Sequence, residues 1–152
     1  MRSIGLLLLR VVVGGMLAAQ GFPKLFGGPG KRVSGDAERL LGPGFNQAME
    51  RGGFENTVAA MERMEMPSPR TMAGVAAGAE FFGGLALILG WRTRLASLVL
   101  LGTRGLAFSR GQAGQGLMGA EGQPGAETPL LYLAALTTLF VAGPGKVSLD
   151  RD

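Results

Sequence analysis

The sequence has no cysteine and no histidine. The first absence excludes disulfides, thiolate nucleophiles, iron–sulfur ligation and a Cys-x-x-Cys redox pair. The second removes the commonest haem and metal ligand and the side chain that titrates near neutrality. No catalytic residue, metal site or covalent cofactor is therefore expected in this chain, and any redox reaction it serves needs a centre on another polypeptide. Cysteine usage says nothing about compartment, since its absence suits a reducing cytoplasm and a membrane equally. Charge is scarce as well. Only 17% of the 152 residues are charged, 15 Lys plus Arg against 11 Asp plus Glu, giving +4. By contrast 47% are hydrophobic and 27 are glycine, a balance that opposes disorder in a chain long enough for one compact domain.

The apolar residues fall into runs. Residues 4–26 are apolar except for Arg10, Gln20 and Lys24, and about 20 such residues cross a bilayer core of about 30 Å. A cleaved signal peptide is the rival reading, because Arg2 precedes a leucine run and Leu17-Ala18-Ala19. Arg10 splits that run, however, and the small-residue site is imperfect. Further runs occupy 72–90, broken by Glu80, then 95–109, broken by Arg104, and 129–142, which carries no charge. A soluble helix would show a polar face at helical spacing. Leu6 to Leu9, Leu85 to Leu89, Leu98 to Leu101 and Leu130 to Leu136 instead place apolar groups all round. The fold expected is all-α, an integral membrane four-helix bundle with the lipid bilayer as its solvent.

Residues 27–71 form a polar loop whose basic residues (Lys31, Arg32, Arg39, Arg51, Arg63, Arg70) are cancelled by Asp36, Glu38, Glu50, Glu55, Glu62 and Glu65. No basic stripe is left for nucleic acid. Within the loop, Phe54, Val58, Met61 and Met64 recur at helical spacing and stop at Met66-Pro67-Ser68-Pro69. They predict a short amphipathic helix, lying on the membrane surface or packed on the bundle end. Gly111 to Gly125, rich in Gly and Gln, reads as a flexible connection and matches no phosphate-binding fingerprint. Four spans return both termini to one side, where Arg2, Arg92, Arg94, Lys146 and Arg151 crowd short segments. That density favours the cytoplasm.

A charge at mid-bilayer costs about 2.5–3.5 kcal/mol on insertion scales, so Arg10, Glu80 and Arg104 need partners or a purpose. At about 1.5 Å per residue from the cytoplasmic ends of the expected spans, Arg10 lies about 9 Å deep, Arg104 about 14 Å and Glu80 about 15 Å. They are expected to form one intramembrane cluster. Arg10, Gly14, Leu17, Gly21 and Lys24 share a stripe, as do Ala73, Ala77, Glu80 and Gly84, and the small residues permit close helix approach. A second polar level, Gln20, Lys24, Glu127 and Tyr132, is expected near the outer face, with Lys24 and Glu127 able to pair. An apolar space between two polar levels suits a lipophilic ligand such as a quinone. The plainer reading makes the charges a helix clip, Lys24 a snorkelling cation and Tyr132 and Trp91 interfacial aromatics.

In order, the chain shows Leu8-Leu9-Arg10, Gly14 to Phe26, Met66-Pro67, Glu80-Phe81-Phe82-Gly83-Gly84-Leu85, Trp91-Arg92-Thr93-Arg94-Leu95-Ala96 and Gly143 to Asp150. In the order and spacing of these pieces it resembles the DoxX family of small bacterial four-span membrane proteins. The resemblance makes Arg10, Lys24 and Glu80 the family's polar positions, and puts Gln20 where many members have histidine. It implies a place in the bacterial cytoplasmic membrane as an accessory or quinone-facing subunit of an oxidoreductase system, partnered by a redox-active chain. The alternatives are a non-catalytic protein that recruits or stabilises partners through the 27–70 loop, and a small transporter using Glu80. A homo-oligomer is compatible with each.

Overall fold

The computed structural model describes residues 2–111, 116–119 and 125–150. Most of the connection expected over Gly111 to Gly125 lies outside them, as does Arg151. Among the described residues the structure is all helical: α1 (Arg2–Phe26), α2 (Asp36–Leu41), α3 (Pro43–Arg51), α4 (Phe54–Arg63), α5 (Pro69–Gly78), a π-helical turn (Ala79–Gly83), α6 (Gly84–Leu89), α7 (Thr93–Gly111) and α8 (Glu127–Ala142).

Among the described residues two helices are long and apolar enough to cross a membrane, Ser3–Phe26 and the run Pro69–Leu89. The latter opens on a proline at its first turn, where no intrahelical N–H is needed, and closes at Gly90 in the left-handed conformation (φ 67°). α8 is apolar but has 16 residues, and α7 has 19 but carries Arg94, Arg104 and Arg110. On α1, Leu6, Arg10, Val13 and Leu17 form a buried stripe at steps of three and four, whereas Ile4 and Leu8 are 60% exposed and Val12 is 55% exposed. Leu131 and Val141 on α8 are each 70% exposed. Apolar side chains on the outward face are what a lipid solvent requires and water penalises.

The described chain forms two compact units, one of residues 1–15 and 83–152, the other of residues 16–82. In the first, α7 runs along α8 and α6 packs on α7. A methyl group on Gly14 would lie 2.6 Å from the Gly84 carbonyl oxygen, so the backbones meet there. After Gly143 the chain turns back: the N–H of Leu149 donates to Leu89 (3.3 Å) and that of Asp150 to Gly90 (2.8 Å).

In the second unit, the 27–71 loop holds three helices where sequence spacing predicts one. The expected helix is α4, and its apolar face is packed: Val58 and Met61 join Met66 and Ala73 in a core that Phe54, Met64, Met72 and Ala76 flank. The neighbour it packs on is α5. α2 and α3 were not anticipated. The loop is tied to the end of α1 through Pro23, whose carbonyl accepts the N–H groups of Gly27 and Gly53, each at 2.8 Å.

Candidate functional site

The central ion pair of the second unit joins Lys24 on α1 to Glu80 in the π-helical turn, with Nζ 2.5 Å from Oε2. The Glu80 side chain is 6% exposed and that of Lys24 37%, so the pair has a buried end and an open one. Gly21, one turn before Lys24, makes it possible: a methyl there would sit 2.5 Å from the Phe81 nitrogen and 2.9 Å from Glu80 Cβ. The π turn adds a residue to the helical circuit at this point, a local change often found at functional positions.

This pairing joins Lys24, expected in an outer level with Glu127, to Glu80, expected in a deeper one. The depth reckoning assumed that adjacent helices end level. Lys24 is two residues from the end of α1, about 3 Å, whereas Glu80 is eleven residues into the helix that starts at Pro69, about 16 Å. The N-terminal part of the second helix therefore extends past the end of α1, and α4 packs on that extension.

Lys24 also faces a groove of ≈ 760 Å³ between the second half of α1 and the α2–α3 pair. Met16, Ala19, Leu40, Leu41 and Phe45 make its walls apolar, and Gln20, Lys24 and Arg51 supply the polar groups. Pro23, also in the lining, has no N–H to give to the Ala19 carbonyl one turn earlier. Polar side chains thus meet one apolar space, within the size range of small-molecule sites. Behind it lies an aromatic cluster that sequence reading missed. Phe22 stacks with Phe45 at 6.3 Å and tilts against Phe26 and Phe81 at 4.9 and 5.8 Å. The Phe22/Phe26 spacing of four was the available signal.

The remaining expected residues lie in the first unit. Arg10 is 1% exposed, and its Nη2 donates to the carbonyl oxygen of Val147 in the returning C-terminal segment. Arg104 lies over the ring of Tyr132, 5.3 Å from its centroid, a cation–π contact that again joins residues expected at different levels. Counted from the observed ends of α7 and α8 the two are in fact level, at about 16 and 15 Å. Glu127 is exposed in the first turn of α8, where its charge complements the helix dipole. Asp150, which sequence reading passed over, accepts the N–H groups of Arg92 (2.6 Å) and Thr93 (2.8 Å). Burial raises its pKa, but these bonds and the nearby Arg10 charge outweigh that and hold the carboxyl below its ordinary value. Among the described residues no group of three or more acidic side chains is placed to hold a metal.

Compared with known proteins, the chain matches the family model DoxX over residues 5–109. No curated protein and no solved structure matches it.

Proposed function

Because the chain belongs to the DoxX family, we propose that this membrane protein is the quinone-facing accessory subunit of an oxidoreductase system whose redox centre sits on a partner chain. It would cross the bacterial cytoplasmic membrane four times with both termini in the cytoplasm. The observation that carries the reading is the groove beside Lys24. A quinone head needs a flat apolar space and hydrogen-bond donors at its carbonyl oxygens, and Phe45, Leu40 and Leu41 with Gln20 and Lys24 offer both. A quinone bound there would supply two-electron chemistry. The chain's own part is to bind and orient: Lys24 brings a positive charge to one carbonyl oxygen, where negative charge grows on reduction, and Glu80 fixes the ammonium in place. With neither His nor Cys, electron delivery falls to the partner.

The test is ligand content and ligand response. Protein extracted with native lipids should carry quinone, and ubiquinone or menaquinone analogues should raise its melting temperature in wild type but not in Lys24→Met or Gln20→Leu. No bound quinone and no thermal response would end this reading. Recruitment of a partner without catalysis is the second reading, and α2 favours it: the helix buries no residue and leaves Leu40 86% exposed. Recovery of a defined crosslinked partner that is lost on Leu40→Ser, with no response to quinone, would select it.

A further inference from the structure

At the other end of the chain, in the first unit, a pocket of ≈ 460 Å³ is lined by Trp91, Arg92, Arg94, Leu95, Leu149 and Asp150. We propose that it binds the phosphate headgroup of an anionic phospholipid, with Arg92 and Arg94 on the phosphate and Trp91, Leu95 and Leu149 against the glycerol and upper acyl chain.

Charge and geometry argue for this occupant. Two arginines and one carboxylate line the pocket, and that carboxylate is already engaged by the backbone of Arg92 and Thr93. The N–H groups of Arg92 and Thr93 are therefore taken, and the two arginine side chains are what the pocket offers an anion. Arg92 is held at φ 46°, a conformation few non-glycine residues adopt, and the Asp150 bond to its N–H fixes that turn. Gly143, at φ 77°, has no side chain where the Arg94 guanidinium lies: a methyl there would be 3.4 Å from both Nε and Nη2. Arg92 and Arg94 are exposed, and no salt bridge engages either among the described residues.

The apolar rim separates a lipid from a free anion. Trp91 is 56%, Leu95 50% and Leu149 64% exposed, although inorganic phosphate would gain nothing from them. Tryptophan beside arginine at the end of an apolar helix is the arrangement favoured at the headgroup level, and anionic headgroups attract basic groups held at the surface.

The test is lipid titration of the detergent-purified full chain followed by native mass spectrometry, with phosphatidylglycerol and phosphatidylcholine as probes. Each basic side chain near an anionic surface is worth about fivefold, so Arg92→Gln/Arg94→Gln should weaken phosphatidylglycerol binding by about 25-fold and leave phosphatidylcholine unchanged. Arg92→Lys/Arg94→Lys should keep most of the preference. Arg39→Gln/Arg63→Gln, which removes the same charge elsewhere, should keep it all. Arg94→Gln alone, outside the strained turn, serves if the double variant does not fold, with about a fivefold loss. Undiminished phosphatidylglycerol binding in the Gln variants overturns the proposal, as does equal loss in the Arg39/Arg63 control. Displacement of the lipid by inorganic phosphate at equal concentration would also overturn it, since the occupant would then be a free anion.

Discussion

Lys24 is half in water and half against a buried acid, and the consequences can be measured. Attraction across 2.5 Å gains strength as the surroundings lose water, but bringing both charges there has its own desolvation cost. The net worth of the pair is therefore read from a cycle of variants, not from its distance. Lys24→Met and Glu80→Gln should each lower the unfolding free energy, and the double variant should lose less than their sum, by a coupling of about 1–3 kcal/mol. Thermal or denaturant unfolding in one detergent checks it; additive losses would mean that the contact contributes nothing. Residue identity was legible here and partnership was not. That Lys24 and Glu80 matter follows from their lying in apolar runs, but which cation meets which acid depends on where each helix ends. An error of a few residues there moves a side chain by more than a hydrogen-bond length. Arg104 and Tyr132 were separated for the same reason.

At the level of elements, the apolar segments were visible because their length and the absence of a polar face need no tertiary information. The expected 4–26, 72–90, 95–109 and 129–142 fall, each within a few residues, in the helical stretches Arg2–Phe26, Pro69–Leu89, Thr93–Gly111 and Glu127–Ala142, the first two of which are long and apolar enough to span. The polar loop was less readable. α2 and α3 have few apolar positions, and the approach to them depends on Asn46, 2% exposed, which bonds the N–H and carbonyl of Val33 and the carboxylate of Glu38. An asparagine in a polar loop gives no sign from sequence that it is such a tie. The cap of α7 was equally hidden, because Asp150 reaches it from 57 residues away. Capping of this kind is worth about 1 kcal/mol, and its pH dependence has a defined sign. The folded-state pKa of Asp150 is lowered, so its contribution is complete above the unfolded carboxyl's pKa and disappears as pH falls through the folded value. Asp150→Ala should therefore melt lower than wild type at neutral pH, and the gap should close below about pH 4. A gap that persists in acid would show that the aspartate acts through packing rather than charge.

For the whole molecule, membrane embedding follows from what is exposed rather than from what is buried. Ile4, Leu8, Leu131 and Val141 face outward at 60–70% exposure, and in water such surface would drive association. Lipid removes that penalty, so helices need only one packed stripe and the opposite face can stay apolar. The depth of the bilayer along the molecule can then be read with the protein's own chromophore. Trp91 is the single tryptophan, 56% exposed, and lies between the end of α6 and the start of α7. A tryptophan there belongs at the headgroup boundary, with its ring against lipid and its N–H towards water. In vesicles its fluorescence should be quenched more by a nitroxide carried near the headgroup than by one near the end of the acyl chain. Aqueous iodide should quench it only in part. Stronger quenching from the bilayer centre would put the α6–α7 corner in the hydrocarbon, where Arg92 and Arg94 could not be left exposed, and the proposed path of the chain through the membrane would have to be redrawn.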